Sequence, residues 1–229
     1  MSETVFIAVI AGLLALDDRA GWQSLLGEPV FAALLVGLAA GPVGPALRCG
    51  VALQLVWLSI GAARGSRRPN VVVGGLVAAG AACGVLERTG DPRELFVVAT
   101  AVFCGLLAGE AGAVVARVAG GGRERWLGRF QLPAEAGAAS RRLVLTTTAS
   151  ALYVALVDGI FVLLALPAAV FLTETVTGRL GAAAAGATWW LALLPALAAG
   201  TIVHAFATRT LARFAALGLL IAGVASWLL

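Results

Sequence analysis

The chain has 229 residues, of which 61% are hydrophobic and only 12% are charged, and its mean hydropathy is +0.99. Soluble domains carry about 25% charged residues and about half apolar residues, so this composition excludes a water-soluble globular enzyme. All 16 basic residues are arginine, which rules out chemistry that needs a lysine, such as a Schiff base or a P-loop. We interpret the net charge of +4 as arginines at loop edges that orient a membrane protein, and not as a nucleic-acid-binding surface.

The apolar residues fall into blocks separated by short charged clusters, a pattern typical of multi-pass membrane proteins. The blocks cover residues 4–16, 30–47, 50–63, 71–86, 95–118, 143–172, 182–199 and 212–229. The sequence therefore predicts an all-α, polytopic integral membrane protein with about seven to nine membrane-embedded segments. No basic region precedes the first block and no small-residue cleavage motif follows it, so we expect a retained helix and not a removed signal peptide.

Several blocks are too short to cross a bilayer alone, because a spanning helix needs about 20 residues. Residues 50–63 are the clearest case, with Gly41, Pro42 and Pro45 on one side and an arginine cluster on the other. We expect this block to form a broken or re-entrant helical hairpin with the block before it. Irregular backbone at membrane depth is stable only where protein or a water-filled cavity covers it, so the hairpin should line a site.

Loop charge predicts the orientation of the chain. Residues 64–68 are positive, residues 87–94 are net negative and residues 117–142 are net positive. This alternation is what the positive-inside rule requires, and it places the first and third of these loops in the cytoplasm. We expect three parts: an N-terminal membrane bundle that holds the substrate site (1–119), a polar cytoplasmic linker (120–142) and a C-terminal membrane bundle (143–229).

Polar groups inside the apolar blocks are informative, because each costs a few kcal/mol unless it meets a partner or water. Those inside the blocks or at their edges are Asp17, Arg48, Gln54, Asn70, Glu110, Asp158 and His204. A lone histidine and three dispersed cysteines make neither a metal site nor a disulfide framework. No catalytic triad, nucleophile elbow or phosphate loop is visible, so we predict a non-enzymatic protein without metal or cofactor.

The N-terminal third carries a distinctive series of short motifs. They are Leu16-Asp17-Asp18, Glu28-Pro29, Gly37, Gly41, Gly50-Val51-Ala52-Leu53-Gln54-Leu55, Gly61-Ala62-Ala63 and Pro69-Asn70. This series resembles subunit IIC of the mannose/fructose/sorbose family of sugar phosphotransferase system (PTS) permeases. The family pattern has a Leu-Asp after the first helix, an Arg-Pro, a Gly-Asp turn, a Gly-x-x-x-Glu-Leu helix and a Gly-Ala-Ala stretch leading to Pro-Asp.

The chain departs from this pattern at several positions. Glu28 stands where arginine is usual, Pro42 where aspartate is usual and Ser59 where glycine is usual. Gln54 and Asn70 stand where the pattern has glutamate and aspartate, so two carboxylates have become amides. An amide keeps the ability to bond sugar hydroxyls as both donor and acceptor, although it loses charge.

The resemblance implies a multi-pass permease subunit in the bacterial inner membrane that carries a hexose-type sugar as the sugar is phosphorylated. It also implies a sugar substrate, a IID membrane subunit, cytoplasmic IIAB components that hold the phosphoryl-transfer residues, and a homo-oligomer, a trimer in its relatives. We expect Gln54, Asn70 and Asp17 to bind the sugar through polar contacts, with Trp57 offering an apolar face to the ring. Short hydrophobic segments broken by Pro and Gly point to the same region as a transporter binding site.

Two alternatives remain open at this stage. The first is a IIC-like relative that no longer transports and serves as an assembly or regulatory membrane subunit, which the lost carboxylates and the Arg67-Arg68 pair would permit. The second is an unrelated solute carrier or an integral-membrane enzyme whose motif match is coincidental. An integral enzyme should show clustered His, Asp or Cys at a membrane face, and the sequence has no such cluster.

Overall fold

A computed structural model of the protein describes residues 2–20, 25–64, 69–89, 94–127 and 136–184. These residues form six α-helices and one short 3-10 turn (Leu25–Gly27), with no strand among them. The helices are α1 (Ser2–Ala20), α2 (Pro29–Ala40), α3 (Val43–Arg64), α4 (Val71–Thr89), α5 (Glu94–Leu127) and α6 (Ala136–Ala184). The prediction of an all-α architecture is confirmed for this part of the chain.

Among the described residues, three helical stretches are long and apolar enough to cross a membrane, namely Val71–Thr89, Glu94–Gly122 and Leu143–Arg179. Shorter apolar helices cover Glu3–Leu16, Pro29–Ala40 and Val43–Trp57. The number of membrane-embedded segments, predicted as seven to nine, stays a prediction, because nearly all of blocks 182–199 and 212–229 lies outside the described residues.

Helices α2 and α3 form a tight antiparallel hairpin. Its turn is at Gly41, whose φ of 153° lies in a region that side-chain-bearing residues rarely adopt, and Pro42 follows at once. Glycines let the two backbones approach: a Cβ at Gly37 would lie 2.9 Å from Val43 Cα, and one at Gly50 would lie 2.8 Å from the Pro29 carbonyl oxygen. With 12 residues, α2 is about 18 Å long, well short of the hydrocarbon core.

The sequence placed the interruption between blocks 30–47 and 50–63, and the structure places it earlier. Helix α3 begins at Val43 and continues through Pro45 and Gly50 without a break. Pro45 is tolerated because it lies in the first turn, where the backbone N–H groups have no intrahelical partner in any case. The broken segment is therefore α2, and the helix that follows it is long.

Helix α4 is the centre of the packed structure. Twelve of its residues in a row, Val72 to Cys83, are buried, and it contacts the other five helices. Small residues bring its neighbours close: a Cβ at Gly75 would lie 3.0 Å from Pro29 Cα, and one at Gly80 would contact Leu166 and Ile7. Small residues at helix contacts are typical of membrane proteins. Because no hydrophobic effect drives apolar helices together in lipid, their association depends on close packing.

Helix α6 packs along α1 through a reciprocal pair of glycines. A Cβ at Gly12 would lie 3.0 Å from the Ala155 carbonyl oxygen, and a Cβ at Gly159 would lie 3.0 Å from the Ala8 carbonyl oxygen. The predicted linker, residues 120–142, coincides with the end of α5 and the start of α6, and residues 128–135 lie outside the described part. The division into two bundles stays a prediction.

Candidate functional site

The α2–α3 hairpin holds a hydrogen-bonded pair of polar side chains. Gln54, on α3, donates from Nε2 to Oε2 of Glu28 at 2.7 Å. Glu28 is the N-cap residue of α2, but its side chain makes no capping bond and reaches α3 instead. Gln54 Oε1 is buried and has no hydrogen-bond partner within the described ranges. A carboxylate and an amide thus meet at the N-terminal end of the broken helix.

One turn further along α3, Trp57 fills a slot lined by glycines. Its side chain is 5% exposed, and its six-membered ring lies between Gly74 of α4 and Gly109 of α5. A Cβ at Gly74 would overlap the ring, and one at Gly109 would lie 2.6 Å from Cζ2. The indole Nε1 is buried without a hydrogen-bond partner in the described part of the chain. Only glycine at both positions admits the indole, so this packing fixes the side chain of Trp57.

Asn70 joins three helices at the start of α4. Its Oδ1 accepts a hydrogen bond from the backbone N–H of Val73 at 3.3 Å, which is an N-cap bond, and its Nδ2 donates to Asp158 Oδ2 on α6 at 3.0 Å. Its backbone N–H donates to the carbonyl of Gly109 on α5 at 3.0 Å. Both Asn70 and Asp158 are buried, so the pair satisfies two polar groups that would be costly to leave alone.

Two of the four residues predicted to bind substrate meet in the structure, and a third lies on the same helix as one of them. Trp57 and Asn70 both lie against Gly109, and Gln54 is one turn before Trp57 on the same helix. The fourth, Asp17, is on α1, near its C-terminal end, and its side chain is not among the described ones. Whether any of the four binds sugar stays a prediction.

Sequence reasoning missed the two acidic partners of these amides. Asp158 was recognised as a polar group inside an apolar block, but its partner on α4 was not identified. Glu28 was noted only as a departure from the arginine of the family pattern. An ionisable residue in an apolar helix requires a partner, so the sequence did indicate that Asp158 would be paired. The sequence feature that could have drawn attention to Glu28 is its position directly before the proline that begins a short helix.

Other polar groups in the described part are placed away from this cluster or serve local structure. Arg48 and Glu94 form an exposed ion pair between α3 and α5. The thiol of Cys104 contacts the hydroxyl of Thr173 at 3.7 Å, and all three cysteines are buried and free. Within the described ranges, no group of three metal-ligating side chains occurs. His204 lies outside them.

The arrangement around Gln54 and Trp57 combines a carboxylate acceptor, an amide that both donates and accepts, and a buried indole. A comparison with curated proteins finds no match. A comparison with protein families finds one over residues 1–228, described as the PTS system sorbose-specific IIC component.

This match removes the alternative of an unrelated carrier or enzyme with a coincidental motif, since it extends over the whole chain and not only the N-terminal third. Together with the long apolar helices, it identifies a membrane permease of sugar transport. The chain therefore belongs to the sorbose-specific IIC component family of the phosphotransferase system.

Proposed function

We propose that this chain binds a hexose-type sugar at the α2–α3 hairpin and translocates it as the sugar is phosphorylated by separate IIAB components. Gln54 and Asn70 contact sugar hydroxyls, Asp17 adds a polar contact, and Trp57 packs against the ring. The observation that carries the proposal is the polar pair of Gln54 and Glu28 at the end of a helix too short to span the bilayer. Discontinuous helices with polar termini are where secondary transporters bind their substrates.

Trp57 supports the proposal through its rigidity. Because Gly74 and Gly109 hold the ring, the Trp57 side chain is already ordered before a ligand binds. Gln54 Oε1 and Trp57 Nε1 supply one acceptor and one donor, both buried and without partners among described residues. A bound ligand or water that reached them would supply hydrogen bonds that the described residues do not make.

The family match supports association with other phosphotransferase components, and we propose the following partners. A IID membrane subunit completes the permease, the IIAB components carry the phosphoryl group, and the chain forms a homo-oligomer, a trimer as the family resemblance suggests. We place the complex in the bacterial inner membrane, with residues 64–68 and 117–142 in the cytoplasm. In that orientation the C-terminal end of α5 faces the soluble phosphotransferase components.

Uptake by a reconstituted complex tests the proposal. Proteoliposomes would contain this chain with IID, IIA and IIB proteins from the same organism, and uptake of radiolabelled hexoses, amino sugars and polyols would be measured. We expect saturable uptake of at least one sugar, recovery of the sugar as its phosphate, and loss of uptake when the phosphate donor is omitted. Failure with every sugar tested would contradict the proposal.

The orientation has its own test. Arg125→Cys, near the end of α5, and Glu87→Cys, near the end of α4, place one thiol at an exposed position in each of two consecutive loops of opposite charge. A membrane-impermeant maleimide added to intact cells should label the second thiol and not the first. Labelling of residue 125 from outside would reverse the assignment.

One observation favours the alternative of a non-transporting assembly or regulatory subunit. The side-chain amide of Asn70 is already engaged on both sides, by Val73 and by Asp158. A sugar hydroxyl would have to replace one of these bonds. Under this alternative the reconstituted complex assembles but takes up no sugar.

A further inference from the structure

The two hydrogen bonds of the Asn70 side chain differ in length and in origin. Oδ1 accepts the Val73 N–H at 3.3 Å, longer than the usual N–H···O distance of about 2.9–3.0 Å, and this bond lies within the first turn of α4. Nδ2 donates to Oδ2 of Asp158 at the usual length, 3.0 Å, and this bond comes from another helix. Asp158 therefore contributes more than the cap bond to the orientation of the amide.

Asp158 is itself held in place by the packing of α6 on α1. Its side chain is buried, and the next residue, Gly159, lies against the Ala8 carbonyl oxygen, 3.0 Å from an added Cβ. About one turn earlier on α6, the Ala155 carbonyl oxygen lies 3.0 Å from a Cβ added at Gly12. A shift or rotation of α6 at this level would disturb both close contacts. The carboxyl group thus reaches Asn70 from a helix whose position is already determined.

Gly109 of α5 connects Asn70 to Trp57. Its carbonyl accepts the Asn70 N–H at 3.0 Å, and a Cβ added to it would lie 3.3 Å from the Asn70 carbonyl oxygen and 2.6 Å from Cζ2 of Trp57. Three residues further along α5, a Cβ at Gly112 would lie 3.3 Å from Asn70 Cβ. Helix α5 is therefore packed tightly against Asn70 on one side and the indole on the other. A displacement of Asn70 would move the wall of the slot that holds Trp57.

We propose that Asp158 is a positioning residue of the substrate site, which acts through Asn70 and does not itself contact the sugar. The inference rests on the proposed function, in which Asn70 and Trp57 contact the substrate. A sugar hydroxyl that donates to Asn70 Oδ1 replaces the longer bond, from Val73, while the bond to Asp158 holds the amide and the start of α4 in place. Because this anchor is present before and after the sugar binds, its loss weakens binding and leaves the later steps of transport unchanged.

The test compares KM and kcat for uptake by the reconstituted complex, with the radiolabelled hexose, amino sugar or polyol that the wild type takes up fastest. Asp158→Leu should raise KM about tenfold and leave kcat of the assembled complex largely unchanged. Asn70→Asp brings two carboxyl groups to the same contact and should raise KM at least as much. The exchange variant, Asn70→Asp with Asp158→Asn, restores one donor and one acceptor in the opposite order and should recover most of that loss.

Leu166→Ala is the matched control for packing between α6 and α4. Leu166 is buried and contacts Gly80, so the variant should destabilise the protein at least as much as Asp158→Leu while leaving KM unchanged. A wild-type KM in Asp158→Leu, or an equal rise in Leu166→Ala, would overturn the inference and leave the proposed function intact. If Asp158→Leu fails to assemble, the exchange variant decides, and a KM no lower than that of Asn70→Asp alone would overturn the inference. Absence of uptake by the wild type would overturn both.

Discussion

Helices α4 and α6 are both apolar enough to span a membrane, yet they are used in opposite ways. In the apolar stretch of α4 that is long enough to cross a membrane, 72% of the residues are buried inside the protein. In the equivalent stretch of α6, 28% are buried. Helix α4 is built from small residues and is enclosed by its neighbours. Helix α6 turns a stripe of large apolar side chains outward, formed by Leu152, Leu156, Ile160 and Leu164.

The difference shows where the sequence is under tight packing constraint. Around α4, glycines decide whether helices can approach and whether Trp57 fits. On the outer face of α6, any apolar side chain serves, because its surroundings are lipid or another subunit. The threonines of α6 agree with this environment: Thr148 and Thr175, for example, donate to carbonyls one turn back, which satisfies the hydroxyls inside the helix.

The largest expected effect distinguishes a buried position of α4 from an exposed position of α6. Leu76→Ala, in the fully buried part of α4, should lower the free energy of unfolding by about 2 kcal/mol or more, because a cavity forms in a packed core. Leu156→Ala, on the exposed stripe of α6, should change it by less than about 0.5 kcal/mol. Unfolding of the purified protein in bicelles measures both. Equal losses would mean that the outer face of α6 is covered within the subunit.

The glycine slot gives the next test. Gly109→Ala should destabilise the protein by about 1–3 kcal/mol, because the new methyl group would overlap the Trp57 ring. Trp57→Phe removes the outer part of the indole and should recover much of that loss in the double variant. Gly178→Ala on α6, where nothing lies within 4 Å, is the control and should be neutral or slightly stabilising. If the double variant is no more stable than Gly109→Ala alone, contact with the Trp57 ring is not the reason that position 109 requires glycine.

A third test concerns the bond that joins the two helices. Asp158→Leu leaves the Nδ2 group of Asn70 buried without its acceptor, and should lower stability by about 1–2 kcal/mol. Asp158→Asn keeps an acceptor oxygen and should cost less. Glu174→Gln, at an exposed position on α6, serves as the control and should have no effect. Thermal unfolding in nanodiscs ranks the three variants, and a leucine variant as stable as the wild type would contradict the role of this bond.

The smallest effect belongs to the surface. Arg48→Gln breaks the ion pair with Glu94, but the two side chains are 54% and 39% exposed, so the loss should stay below about 1 kcal/mol and shrink as salt is added. The same unfolding assay at low and high ionic strength measures it. A loss as large as that of Leu76→Ala would show that this pair is shielded in the assembled membrane protein.

Composition and block pattern were sufficient to predict a helical membrane protein with a broken hairpin in this region, but the turn was placed after residue 47 and not at Gly41. The continuation of α3 through Pro45 was missed, since a proline in the first turn begins a helix as readily as one elsewhere ends it. The two hydrogen-bonded polar pairs were not predicted, for a different reason. Glu28 and Gln54 are 26 residues apart in the predicted hairpin, but its register was not predicted. Asn70 and Asp158 are 88 residues apart, and the block pattern does not indicate which distant helices become neighbours.

Uptake by the Gln54→Leu variant tests the central claim most directly, because leucine keeps the side-chain volume and removes both hydrogen-bonding groups at once. Leu55→Ala, at the neighbouring exposed position of α3, is the matched control. Our account predicts that Gln54→Leu inserts into the membrane and assembles normally but takes up no sugar, while Leu55→Ala transports as the wild type does. Normal donor-dependent uptake by Gln54→Leu would contradict a substrate site at this hairpin.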